Sequence, residues 1–102
     1  MFNERERKIM ELSVDKCGDK LITQCIQEMA ELTQALTKYQ LGDLNLANII
    51  EEIGDVKITT EELIILFNTK YNNINSGVDR SICRKLERVV VRYDLEVVNE
   101  KY

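Results

Sequence analysis

Residues 20–41, KLITQCIQEMAELTQALTKYQL, and residues 44–68, LNLANIIEEIGDVKITTEELIILFN, decide the fold of this chain. At about 100° per residue, Leu21, Cys25, Met29, Leu32, Leu36 and Tyr39 form an apolar stripe on the first segment. Ile49, Ile53, Val56, Leu63 and Phe67 do the same on the second. Two amphipathic helices joined by a turn as short as the one at Gly42 must lie antiparallel and side by side. Glu28 and Glu52 stand at the edges of their stripes, with Glu31 and Asp55 roughly 60° further out, so the same acidic layout occurs twice.

A three-residue spacing puts two side chains on neighbouring positions of one helix face. Each pair therefore offers two carboxylates to a common point, and antiparallel packing would bring all four together. A Glu-rich helix face is ordinarily just solvated; the matched phase of the two pairs favours a site instead. Four clustered carboxylates repel one another and raise their own pKa values unless a cation joins them. Mg²⁺, a hard ion that takes oxygen ligands, is the expected one, with Mn²⁺ as an alternative. Gln24 lies beside the first pair.

The sequence Glu28-Met29-Ala30-Glu31, a spacer of twenty residues, and Glu52-Ile53-Gly54-Asp55, with Leu32, Glu51 and Val56 agreeing beside them, resemble the E-x-x-E, spacer, E-x-x-D signature of the all-α nucleoside triphosphate pyrophosphohydrolases, which include the MazG-like proteins. The likeness extends over about residues 18 to 93. Gln27 stands where a doubled Glu is common, and the chain has no Trp, a residue that several members place around the base. The resemblance implies a single MazG-like domain over residues 1–102, working as a homodimer or dimer of dimers. It also implies Mg²⁺-dependent hydrolysis between the α- and β-phosphates of a ribo- or deoxyribonucleoside triphosphate. Glu28, Glu31, Glu52 and Asp55 would hold the metal, and Glu31 or Glu52 would serve as the base. The base and sugar are expected in an apolar pocket between helices, closed by the N-terminal segment. A non-catalytic nucleotide-binding protein or structural helical oligomer is the alternative.

On the last predicted helix Lys85 lies at the edge of a stripe formed by Ile82, Leu86, Val89 and Tyr93, with Arg88 and Arg92 slightly further out. That layout repeats the acidic one with its sign reversed. Cations facing a metal-bound acid cluster suit a triphosphate, so Lys85 and Arg88 are the candidate phosphate ligands. Lys85-Leu86-Glu87-Arg88 is also similar to a basic K-x-x-R stretch in the final helix of many MazG-like proteins.

The rest of the chain fits one all-α antiparallel bundle of four to five helices, completed by oligomerisation. Helices are expected from about Glu4 to Val14 with Asn3 as N-cap, from Lys20 to Leu41 capped by Asp19, from Asp43 or Asn45 to Asn68, and from Val78 to Val98. Residues 69–77 are rich in turn formers and are expected to form a loop. Ile50, Ile58 and Ile65 fall off the main stripe of their helix, which points to burial against a second subunit. Glu61, roughly 180° around that helix from Glu52, should lie away from the acids.

A net charge of −4 argues against nonspecific nucleic-acid binding. With no long apolar run and no signal-peptide character at the N-terminus, neither a membrane partner nor export is expected, and the cytoplasm is the expected compartment. There is no His, which removes the commonest general base and leaves hydrolysis to carboxylates and metal. Cys17, Cys25 and Cys83 form no CxxC pair and are expected to be reduced and structural.

Overall fold

The computed structural model describes residues 2–97, and among these the chain is four helices without a strand. They are α1 (Glu4–Cys17), α2 (Lys20–Gln40), α3 (Leu46–Lys70) and α4 (Ile74–Arg92).

Local chemistry sets the boundaries. Asn3 caps α1 through a reciprocal pair: its side chain accepts the Glu6 N–H at 2.8 Å, and Glu6 accepts the Asn3 N–H at 2.9 Å. Gly18, at φ 56°, ends α1 in a left-handed backbone and returns its N–H to the Val14 carbonyl. Asp19 does not cap α2 as expected; its carboxylate instead pairs with Lys70 at the far end of α3. Asn45 occupies the cap position of α3, yet its amide donates to the Ala35 carbonyl at 3.0 Å and so ties the Gly42 turn to α2.

The expected loop at 69–77 contracts to residues 71–73. Asn68 accepts the Ile74 and Asn75 N–H groups at 3.0 and 3.3 Å, which satisfies donors at the start of α4 and lets the helix begin there. Asn73 adopts the left-handed backbone, φ 65°, that the sharp reversal requires. At its other end α4 stops at Arg92 rather than Val98, a residue that lies outside those described.

The antiparallel α2–α3 pair is the body of the molecule. Its seam on α2 runs through Leu21, Cys25, Glu28, Leu32 and Ala35, all buried or half-buried. On α3 it runs through Ile49, Glu52, Thr59, Glu62 and Leu66. The spacing averages about 3.5 residues, as it must where two helices keep one line of contact. The broader stripe expected from sequence is only partly used, and Met29, Leu36 and Tyr39 stay 43–52% exposed. Met10 and Val14 of α1 close the core; Val14, Leu21 and Leu66 form its centre, with Ile65 packed against them. Ile65 is thus satisfied within the chain, while Ile50 and Ile58 remain exposed. Cys25 is buried, Cys17 half-buried and Cys83 exposed, all three as free thiols.

Among the helices α4 touches α3 alone and buries no residue. The Cα radius of gyration is accordingly 16.7 Å, against about 13 Å for a compact chain of this length. Replacing Asn68 by Ala, which leaves two α4 donors uncapped, should cost about 1 kcal/mol in chemical denaturation. Asn68→Asp keeps the acceptor and should cost much less; equal losses for the two variants would show that the cap is not what starts α4.

Candidate metal centre

Glu28 and Glu31 come from the middle of α2, Glu52 and Asp55 from the first half of α3. Antiparallel packing brings them level, and one carboxylate oxygen from each lies within 4.8 Å of the others. The four acids singled out from sequence therefore meet at one point. Glu28 and Glu52 do not merely edge the apolar surface: they occupy seam positions, and one oxygen of each is enclosed with no hydrogen-bond partner. Asp55 is half-buried beside them, while Glu31 opens to solvent.

The electrostatics follow from this placement. Burial pushes the Glu28 carboxyl above its ordinary range, and Glu31, Asp55 and Glu52 add repulsion in the same direction. Glu52 is raised as well, first by burial and then by Glu31, Asp55 and Glu51. Among the described residues no cation relieves them, for the ion pairs there are Arg7–Glu61 and Lys70–Asp19. An enclosed carboxylate oxygen without a donor is costly, and a cation is the one partner that satisfies several at once. The donor set suits a hard ion. The opposite ligands of Mg²⁺ stand about 4.2 Å apart, twice its bond length, so the observed 4.8 Å closes with small side-chain movements.

The other candidates are not members of the cluster. Gln24 is exposed one turn before Glu28 on α2. Lys85 and Arg88 are exposed on α4 and make no ion pair among the described residues. Glu61 lies away from the acids, but it is not idle: it accepts from Arg7 at 3.2 Å and ties α1 to α3. Sequence reasoning passed over Glu62, which is buried in the seam two turns beyond Asp55. An apolar recess of about 210 Å³ lies between α1 and α3, lined by Phe2, Glu6, Ile9, Met10 and Ile58, none of which the sequence reading named as pocket residues. The spacing of Glu6, Ile9 and Met10 on one face of α1 was the available signal.

Compared with protein-family models, with curated proteins and with solved structures, the chain matches none. Its function is therefore argued from the site itself.

The raised carboxyls carry a stability consequence. Each holds its proton to higher pH in the folded chain than in the unfolded one. The metal-free fold is therefore favoured near and below the ordinary value of 4.5 and loses that advantage as pH rises through the raised values. In chelator, Glu28→Gln should melt above the parent at pH 7.5 and level with it near pH 4.5. Added Mg²⁺ or Mn²⁺ should stabilise the parent and not the variant. A parent and variant that melt together at both pH values, with and without metal, would contradict the electrostatic account.

Proposed function

We propose that this protein is a Mg²⁺-dependent nucleoside triphosphate pyrophosphohydrolase of the MazG-like kind, cleaving the α–β phosphate bond to give a nucleoside monophosphate and pyrophosphate. The observation that carries this reading is the convergence of Glu28, Glu31, Glu52 and Asp55, with enclosed oxygens that no donor satisfies. The resemblance of the two acidic motifs to that superfamily's signature supports it further.

Bound there, Mg²⁺ would supply the positive charge that draws a triphosphate in and makes its α-phosphorus more electrophilic. Glu28 and Glu52, anchored in the helix seam, fix the position of the site, and Asp55 completes it from the α3 side. Glu31 has a different part. It is the solvent-facing member, and its charge helps raise the pKa of both Glu28 and Glu52. A water held against its carboxylate can give up a proton to it while attacking phosphorus, which makes Glu31 the better base of the two candidates. Glu52, with an enclosed oxygen, acts as a ligand. Lys85 and Arg88 would steady the charge on the departing pyrophosphate, with Gln24 available to the sugar or phosphate at the rim.

The exposed apolar residues support a homodimer or dimer of dimers as the working unit. Met29, Leu36 and Tyr39 on α2, Ile50 and Ile53 on α3, and the unburied face of α4 form more apolar surface than a lone chain of this size leaves wet. Sedimentation should show at least a dimer at micromolar concentration; a well-folded monomer would contradict this part of the reading.

The catalytic reading is tested by a nucleotide panel with Mg²⁺ in which pyrophosphate is scored separately from orthophosphate. The parent should release pyrophosphate, Glu52→Gln should lose roughly a hundredfold or more in rate with helical content unchanged, and Glu11→Gln, on the exposed side of α1, should match the parent. Release of orthophosphate alone, or equal rates in parent and Glu52→Gln, would overturn the assignment.

A further inference from the structure

The seam between α2 and α3 has two sides, and they differ in chemistry. Seen from one end, antiparallel helices wind in opposite senses. The residue that follows each seam position, about 100° on, therefore turns to the same side of the pair on both helices, and the residue that precedes it turns to the other. The preceding side carries Lys20, Glu31, Glu51 and Glu61 together with three glutamines. On the following side there are five positions on each helix; none of the ten is charged and eight are apolar.

The preceding side is the occupied one. Ile58 and Ile65, each just before a seam residue of α3, meet α1 at the recess and at the core, and Glu61 pairs with Arg7. The acid cluster opens to solvent on this side too, through Glu31. On the following side Ile26, Met29, Leu36, Ile50 and Ile53 stay 43–62% exposed. With Tyr39 and Leu46 toward the Gly42 turn they leave on the order of 700 Å² of apolar surface wet, taking roughly 200 Å² for a fully exposed large side chain. The largest patch on a typical monomer is about 300–600 Å², and each partner in a stable complex buries about 800 Å².

Charge selects the occupant. A two-fold contact sets one patch against its own copy, so any charge in it meets its like. The following side has none and is self-complementary. The exposed face of α4, with Arg80, Arg84, Lys85, Arg88 and Arg92, would instead repel its copy. A lipid surface is held through Lys and Arg beside the apolar residues, and the following positions contain neither. Two helices presenting one apolar face to an identical pair make a four-helix bundle.

We infer that a second copy of this chain docks on the following side of the α2–α3 pair, around Ile26, Met29, Leu36, Ile50 and Ile53, and that the two acid clusters face outward, each complete within one chain. This deepens the oligomer reading above by naming its surface, and it is independent of the chemistry proposed there.

Sedimentation of four proteins tests it. Leu36→Glu and Ile50→Glu each bring two carboxylates into a dry contact. They should weaken self-association roughly thirtyfold or more and sediment at half the mass of the parent. Helical content should be kept, because both positions are exposed in the single chain. Leu86→Glu, on the exposed face of α4, should associate as the parent does. Parent mass in both α2–α3 variants would overturn the inference, and loss of association in Leu86→Glu alone would move the contact to α4. A monomeric parent that binds phosphatidylglycerol vesicles would assign the face to lipid.

Methyl NMR locates the contact without a variant. On dilution of the parent the signals of Ile26, Met29 and Ile53 should move, while those of Ile9 on α1 stand still; the reverse would overturn the placement. Leu36→Glu, dissociated, should still bind Mn²⁺ as the parent does. Binding by the parent and not by this variant would show that the site needs the partner and contradict the outward placement. A parent that associates through this face yet neither binds Mn²⁺ nor releases pyrophosphate would fault the functional reading and leave the interface standing.

Discussion

The structure depends on carboxylates placed where a helix seam calls for apolar side chains. Along α2 the contact line runs Leu21, Cys25, Glu28, Leu32, Ala35, and along α3 it passes Ile49 and then Glu52 before reaching Thr59 and Leu66. Two apolar residues at positions 28 and 52 would close the seam and stabilise the bundle. Two acids there leave enclosed oxygens without donors and raise both pKa values. Buried charge without a partner costs several kcal/mol in ordinary circumstances. This arrangement, with Glu31 and Asp55 added beside it, is what the proposed cation site would require.

The surrounding architecture makes the arrangement tolerable. The core is displaced to the end of the α2–α3 pair away from the Gly42 turn, where Val14, Leu21 and Leu66 meet. Ion pairs at Arg7–Glu61 and Lys70–Asp19 tie α1 and the start of α2 to α3, again away from the acids. Stability is thus supplied mainly by one end of the bundle, while the unpartnered carboxylates lie in its middle. The extended α4, basic on one side and apolar on the other, stands clear of this core.

What was legible in the sequence follows physical range. The acid cluster was legible because i, i+3 spacing and a short turn fix positions within single helices and between immediate neighbours. The capping of α1 by Asn3 was legible for the same reason. The exact seam was not: an amphipathic stripe is wider than the line along which two helices touch, so Met29 and Leu36 were placed within it while Glu28 was set at its edge and Ala35 was passed over. Asp19 and Asn45 had the right chemistry for helix caps, but longer-range partners, Lys70 and the Ala35 carbonyl, claimed their side chains. Residues 69–77 looked like a loop because nothing local announces that Asn68 reaches across the reversal to start α4. The recess at Ile58 depends on how α1 docks on α3, which the spacing within α1 alone does not fix.

The central claim is that the four acids form one metal site rather than a patch of solvated charge. Titration of Mn²⁺ at pH 7.5, followed by loss of the free-ion electron paramagnetic resonance signal, tests it most directly. The account predicts saturable binding by the parent, retained in Glu11→Gln and lost in both Glu28→Gln and Glu52→Gln, which sit on different helices. Weak binding of equal strength in all four proteins would contradict it.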